Sequence, residues 1–448
     1  MQVVIVGAGK VGYTLAQRLA QEEHEVTVIE PDEERRLIVQ NNLDVMTIAG
    51  NGANPAVLVD SGISDADLMI AVTDSDEVNM IACMAAKQVG VKRTIARVRN
   101  QEYASTDRLN FNKSLGIDIT INPEMVTAVE ISQVLLTPAA LDVEDFADGK
   151  VRLLEVKIRP ESKLINIPLK DLTLPPQILI AGILRQEKML IPNGSTMILP
   201  NDSVFFVGEH DAIKKFEGQF LEKRSKVERV MIIGAGRIGR HLAVLLEKVG
   251  LDIKVIDKDK ARCQELAGLL ENGITLCGEG TDIDLLVDEG VGEADAVVCL
   301  TDDDKLNLLL ALMAKHLGAQ KTFMRVGRSE YIPLMEKVGI DVVVSPRLIT
   351  AGVILRQVRR GDVITVSLLE GAKAEAMEII VCADSKVAGK KLKDVKFPRN
   401  CLVGAVVHEN HAVVPDGNSV LYPGDRAIVF ALPETVTKVV KYFEGRAH

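Results

Sequence analysis

One thirty-residue phrase occurs twice in this chain. Residues 1–30 read MQVVIVGAGKVGYTLAQRLAQEEHEVTVIE, and residues 227–257 read VERVMIIGAGRIGRHLAVLLEKVGLDIKVID. Each begins with an apolar, mostly β-branched run that stops on a glycine. That glycine opens the spacing G-x-G-x-x-G: Gly7, Gly9 and Gly12, then Gly234, Gly236 and Gly239. An amphipathic helical pattern follows, and then a second apolar run that ends on an acid, Glu30 or Asp257. Gly234 stands 227 residues after Gly7, and Asp257 the same 227 after Glu30. Strand, tight turn, helix and second strand make a βαβ unit, which requires a parallel sheet.

The residue types have a chemical reason. The first glycine makes the turn, the second lets the backbone approach a diphosphate, and the third lets the helix pack on its strand. The N-terminus of the helix offers unpaired N–H groups and a partial positive charge to phosphate. The acid, eighteen residues beyond the third glycine, stands where ribose hydroxyls donate hydrogen bonds. A lone glycine signature is weak. With its strand, helix and acid all repeated, it predicts nucleotide binding by at least one copy.

After Glu30 strands and helices alternate. Residues 44–49 read as a third strand, 67–72 as a fourth, 94–98 as a fifth carrying Arg97 and Arg99, and 117–121 as a sixth before a helix at 124–136. That order predicts a doubly wound sheet with right-handed crossovers. Ligands on such sheets sit beyond the carboxyl ends of the strands, which brings Gly50, Asn51, Thr73 and Asp74 beside the glycine loop. Turn and cap chemistry accounts for the same residue types. Gly278, Glu279, Thr301 and Asp302 recur at the same places in the second copy.

From residue 142 the pattern changes to short strands, the turn Pro192, Asn193, Gly194, and a closing helix at 211–221. The last part of the chain repeats it: Pro415, Asp416 and Gly417 match that turn, and Pro423 with Asp425 matches Pro200 with Asp202. The architecture expected is α/β with internal duplication. Two Rossmann-like nucleotide domains, 1–141 and 225–361, are each followed by a small α+β module, 142–224 and 362–448. Residues 222–228 read as a charged connector.

Composition excludes several functions. A net charge of −10 with 3% aromatic residues and no Trp argues against a nucleic-acid surface. No stretch approaches eighteen consecutive apolar residues, so no membrane-spanning helix is expected. A strand opening at the first residues leaves no room for a signal peptide. Cys83, Cys263, Cys277, Cys299, Cys382 and Cys401 show no C-x-x-C spacing. They read as small buried residues in a reducing compartment, without disulfides and without a metal site.

A nicotinamide oxidoreductase, the alternative reading, needs a proton donor or acceptor facing the cofactor. None of the seven His recurs in both copies; His24 and His241 stand at unrelated positions, and His408 and His411 flank a hairpin turn of the last module. No catalytic residue is assigned, and the chain reads as a sensor rather than an enzyme. Nucleotide occupancy would bias the positions of domains. The helices after strand six, 124–136 and 348–360, are the expected linkers, their apolar Val126, Val129, Ile131, Val134 and Leu135 packing on another subunit or on their own sheet.

The alternating domain order, both glycine loops with their acids, the Thr-Asp pairs and the repeated Pro-Asn/Asp-Gly turns resemble tandem members of the RCK (regulator of potassium conductance, or KTN) family, over essentially the whole chain. The resemblance implies a cytoplasmic protein, peripheral at the inner face of the cell membrane, that binds NAD(H) or ATP/ADP. It further implies a ring, a homotetramer with eight nucleotide folds, that promotes opening of a TrkH/TrkG-like integral-membrane potassium-translocating subunit. The resemblance places the family's dinucleotide contacts on Gly7, Ala8, Gly9, Lys10, Val11, Glu30, Gly50, Asn51, Thr73, Asp74 and Arg97, and on Gly234, Ala235, Gly236, Arg237, Ile238, Asp257, Gly278, Glu279, Thr301 and Asp302. Arg325 stands on strand five of the second copy, with Gly327 in the place of Arg99. Glu30 and Asp257 disfavour a 2′-phosphate by repulsion, so NADP is not expected. Lys10 and Arg237 pair with an extra phosphate or are simply solvated first-turn cations.

Overall fold

The computed structural model of the protein describes residues 1–103, 115–137, 142–186, 188–220, 227–358, 363–369 and 373–445. The boundaries expected at 141, 224 and 361, and most of the 222–228 connector, lie outside them.

The first sheet is parallel. It is built from β1 (Gln2–Val6), β2 (Glu25–Glu30), β3 (Met46–Ala49), β4 (Leu68–Ala71), β5 (Arg93–Arg97) and β6 (Ile119–Ile121) in the order β3-β2-β1-β4-β5-β6. The helices between them are α1 (Lys10–Gln21), α2 (Glu33–Asn42), α3 (Pro55–Asp60) and α4 (Asp76–Val89), and α5 (Pro123–Leu136) follows β6. The central strands are covered on both faces, which is why they read as unbroken apolar runs. Ile5, Leu68, Ile70 and Ile95 have no exposed surface, and each such side chain contributes about 1.5–3 kcal/mol by leaving water.

The first small module pairs β7 (Asp142–Phe146), β8 (Val151–Lys157), β9 (Ile178–Arg185), β10 (Lys188–Leu190) and β11 (Ser203–Glu209) as β10-β9-β11-β8-β7, closed by α6 (His210–Phe220). The pairings are antiparallel. β7 escaped the sequence reading because only Val143 and Phe146 interrupt its acidic run.

The second parallel sheet repeats the first, with β12 (Arg229–Ile233), β13 (Asp252–Asp257), β14 (Ile274–Cys277), β15 (Ala296–Cys299), β16 (Thr322–Arg325) and β17 (Val342–Val344) ordered β14-β13-β12-β15-β16-β17. Its helices are α7 (Arg237–Lys248), α8 (Lys260–Ala267), α9 (Ile283–Asp288), α10 (Asp304–His316), α11 (Ile332–Val338) and α12 (Pro346–Val358). The last module holds β18 (Val363–Leu369), β19 (Ala374–Ile380), β20 (Cys401–His408), β21 (His411–Val413) and β22 (Arg426–Ala431), and ends in α13 (Pro433–Phe443).

Two compact units result, and they cut across the repeat. One is Met1–Ala128 with Ser345–Val358; the other is Val129–Val344 with Arg359–His448. In the first unit, α12 packs along α1. Arg347 Nε donates to Thr14 Oγ1 at 2.6 Å, and Arg93 donates to the Gln357 carbonyl at 3.0 Å. The expectation for the helices after strand six is corrected here: α12 leaves its own sheet for the first domain of the same chain. From Val129 onward α5 likewise groups with the second unit.

In the second unit the two small modules share one core. Phe146, Leu153, Phe205 and Val207 pack with Ala376, Ala405, Ile428 and Phe430. Polar contacts seal the edge: the Ala147 N–H donates to Glu378 at 2.9 Å, and Arg426 bonds both Asp148, at 2.6 Å, and Glu378. Among the described residues no helix is long and apolar enough to cross a membrane.

Candidate functional site

The glycine loop of each parallel sheet has three jobs, and the structure separates them. Gly7 and Gly234 turn the chain at φ +104° and +114°, a region that other residues enter only at a cost. A Cβ on Gly12 or Gly239 would lie 1.9 Å from the carbonyl oxygen of Gly7 or Gly234, so the third glycine is fixed by helix–strand contact. A Cβ on Gly9 or Gly236 would meet nothing within 4 Å. The protein's own packing gives no reason for glycine there, because the space over both positions is open.

Both loops deliver the start of a helix. α1 and α7 begin after Gly9 and Gly236 with no side-chain cap and no acidic residue in the first turn. The neighbouring helices are finished differently: Asp32, Asn54 and Ser75 cap α2, α3 and α4, and Asp259, Asp282 and Asp303 cap α8, α9 and α10. Uncapped first-turn N–H groups with the positive end of the helix dipole suit an anion. Lys10 and Arg237 stand in that turn, at the surface.

The strand-end acids reach back to the loop. Glu30 Oε2 accepts from the Ala8 N–H at 2.6 Å and Oε1 from the Asp32 N–H at 3.0 Å. Asp257 does the same with Ala235 at 2.6 Å and Asp259 at 2.8 Å. Both carboxylates are buried, at 5% and 8% exposure. Two hydrogen bonds leave an ionised carboxylate further lone pairs for a ribose hydroxyl. Asp257 also has an arginine near it, with Arg262 at 3.9 Å.

Beyond β4 and β15 sits a polar knot that includes a residue the sequence reading missed. Asn79 is fully buried on α4. Its Oδ1 accepts from Thr73 N at 2.8 Å and Thr73 Oγ1 at 2.7 Å. Its Nδ2 donates to the Thr73 and Arg97 carbonyls at 3.1 and 2.9 Å. Asn307 repeats all four bonds with Thr301 and Arg325 at 2.7–3.0 Å. The recurring spacing T-D-x-D-x-x-N carried this signal. The Thr73 and Thr301 hydroxyls are therefore spent on the turn, as its ordinary chemistry would have it, and the Asp74 and Asp302 side chains project outward.

Arg97 and Arg325 clamp that turn. Arg97 Nη1 donates to the Thr73 carbonyl at 3.1 Å and to Asp74 at 3.3 Å. Arg325 does so to Thr301 and Asp302 at 2.7 and 2.9 Å. The mismatch of Arg99 with Gly327 resolves at the backbone: Asp76 accepts the Arg99 N–H at 2.9 Å, and Asp304 accepts the Gly327 N–H at 2.8 Å. Asn51 closes its own loop by accepting from Ala53 N at 2.9 Å, while Glu279 lies exposed at the matching position. Gly50 and Gly278 follow directly on β3 and β14.

Cys83, Cys263 and Cys299 are buried as expected, but Cys277 is exposed. It is the last residue of β14, an edge strand, where a small residue need not face the core. Burial pushes the Cys83 thiol up to about 12. Among the described residues no group of three His, Cys, Asp or Glu is placed to hold a metal.

The chain matches the TrkA-N domain family at residues 3–123 and 230–346, and the TrkA-C domain family at residues 153–221 and 376–444. It is 39% identical to the Trk system potassium uptake protein TrkA homolog 1 of Methanosarcina mazei, over 99% of this chain and 100% of that protein. With the Trk system potassium uptake protein TrkA of Halomonas elongata it shares 36% identity over 96% of each chain. Among solved structures, the GsuK channel bound to NAD superposes with a TM-score of 0.62 at 17% identity, over 99% of this chain and 78% of that one. The GsuK RCK domain gives 0.63 at 17% identity, over 98% and 93%; these are likenesses of fold. With both domain families matched twice and relatives aligned over nearly the full length, the chain belongs to the TrkA family of Trk system potassium uptake proteins.

Proposed function

We propose that this chain is the regulatory subunit of a membrane potassium transporter or channel, and that nucleotide held in its two cradles sets the state of the pore. The observation that carries the reading is the twice-built site: an uncapped helix start, open space over Gly9 and Gly236, and a buried acid bonded to the loop. The full-length likeness to potassium uptake proteins supports the transport role. Fold neighbours solved with NAD and with ADP support the ligand class.

In this reading the diphosphate lies on residues 7–11 and 234–238, and ribose hydroxyls meet Glu30 and Asp257. The turns at Thr73-Asp74 and Thr301-Asp302, with Gly50, Asn51, Gly278 and Glu279, form the rim. NAD(H) and ATP/ADP both fit this chemistry, because all present a diphosphate and a free ribose. A ligand that prefers one arrangement of domains shifts the population toward it, and only by its difference in affinity. The assembly proposed is a homotetramer at the inner face of the membrane, under a TrkH/TrkG-like subunit.

The test is potassium flux through the reconstituted membrane partner with the full chain, comparing NAD, NADH, ATP and ADP. At least one nucleotide alters flux, and Gly9→Asp with Gly236→Asp abolishes the response. Flux indifferent to all four would end the proposal, even where calorimetry detects binding.

A further inference from the structure

The second cradle has a feature that the first lacks. Cys263, on α8, is 6% exposed and donates to the Asp257 carbonyl at 3.2 Å and the Leu276 carbonyl at 3.5 Å. Cys277 ends β14, pairs in register with Asp257, lies exposed, and approaches the Lys258 carbonyl at 3.8 Å. Cys263 Sγ therefore lies against the carbonyls of the residue paired with Cys277 and of the residue just before it. Burial first, then the neighbouring Cys277 and Asp257, push the Cys263 thiol up to about 11. In the first copy the matching positions are Arg36, four residues after the cap Asp32, and Ala49, the last residue of β3. A thiol pair, one exposed and one buried, therefore sits only at the ribose end of the second site.

We propose that Cys263 and Cys277 are an oxidisable pair, and that their disulfide lowers nucleotide affinity at the second cradle alone. The affinity part rests on the reading that Asp257 holds the ribose. The oxidant is a hydroperoxide. The exposed Cys277 sulfur attacks the terminal peroxide oxygen, the O–O bond breaks, an alcohol or water leaves, and Cys277 becomes a sulfenic acid. Cys263 sulfur then attacks Cys277 sulfur. The S–O bond breaks, and the departing hydroxide takes the Cys263 proton and leaves as water. The two thiols are oxidised by two electrons and the peroxide is reduced by two. The crosslink ends the Cys263 hydrogen bonds to Asp257 and Leu276 and ties α8 to the strand end directly before Gly278 and Glu279.

The experiment treats the full-length chain with hydrogen peroxide, digests it without reductant, and looks by mass spectrometry for the joined Cys263 and Cys277 peptides, lighter by two hydrogens. The crosslink forms and dithiothreitol reverses it. In Cys263→Ser, Cys277 goes on to sulfinic acid, because nothing resolves its sulfenic acid. Failure of the crosslink to form, or equal sulfinic acid in wild type and Cys263→Ser, overturns the pair. For affinity, ADP and NADH are titrated into oxidised and reduced protein carrying Gly9→Asp, so that only the second cradle is read. Oxidation weakens binding roughly five-fold, about the effect of one lost hydrogen bond, and Cys277→Ser abolishes that change. A crosslink with unchanged affinity overturns the link to the cradle. Protein that forms the crosslink on oxidation but binds neither ADP nor NADH even when reduced refutes the ribose reading and leaves the thiol pair standing.

Discussion

Asn79 and Asn307 use all four of their hydrogen-bonding positions without exposure to water. Removing the amide leaves buried backbone groups unpaired, which costs about 1–3 kcal/mol. Asn79→Ala is expected to lower the thermal midpoint and to free the Thr73-Asp74 turn, read as faster amide exchange at residues 73–75. The glycine loop permits a sharper contrast. Gly12→Ala drives a Cβ into the Gly7 carbonyl and should cost about 1–3 kcal/mol as overpacking. Gly9→Ala meets nothing, so its denaturation midpoint stays at the wild-type value while ADP affinity falls roughly ten-fold, one charge-assisted bond. Equal loss of stability in the two variants would mean that Gly9 serves the fold. For Glu30→Ala, stability and nucleotide affinity fall together, because the carboxylate also holds the Ala8 and Asp32 N–H groups. Single residues were the scale at which the chain was most legible. The glycine spacing and acids came from the sequence alone. Asn79 did not, because an asparagine inside a helix pattern announces nothing until its partners, six and eighteen residues away, are in place.

Among the elements, the hairpin β20–β21 carries His408 where its counterpart β9–β10 carries Arg185, and the exchange has a physical consequence. In the first module Asp202 is held by Arg185 at 2.7 Å, and in the second Asp425 is held by His408 at 2.5 Å. The hydrogen bond to Asp425, with the charges of Asp425 and Glu409, raises the His408 pKa above its ordinary 6.5. A group raised on folding contributes stability that is complete below 6.5 and is lost as pH climbs through the raised value. Calorimetric melting of the full chain is therefore expected to show a midpoint falling above pH 6.5, and His408→Gln to flatten that slope. A wild-type profile identical to that of His408→Gln would show that the pair contributes nothing. Sequence reading found the repeated Pro-x-Asp that places both carboxylates. It could not find their partners, which lie on other strands and are arginine in one copy and histidine in the other.

Across the whole molecule, periodicity predicted the two parallel sheets and the strand–helix alternation well, because buried parallel strands write unbroken apolar runs. It failed where packing is not local. Nothing in residues 346–358 says that α12 will leave its own sheet for α1, since an apolar helix face fits any apolar surface of the right shape. The shared core of the small modules was equally hidden, each having looked complete by itself. Cutting the chain after residue 358 should thus leave Phe205 and Val207 without their cover from Ala405, Ile428 and Phe430. Light scattering should report aggregation of that fragment, and a monodisperse, cooperatively melting fragment would contradict the shared core. The same arrangement bears on biosynthesis. Because the first unit closes only with Ser345–Val358, its earliest residues leave the ribosome long before their last partner helix exists. At about 5–20 residues per second, the nascent N-terminal domain spends many seconds with the α1 surface bare, so chaperone occupancy during translation should persist until that helix emerges.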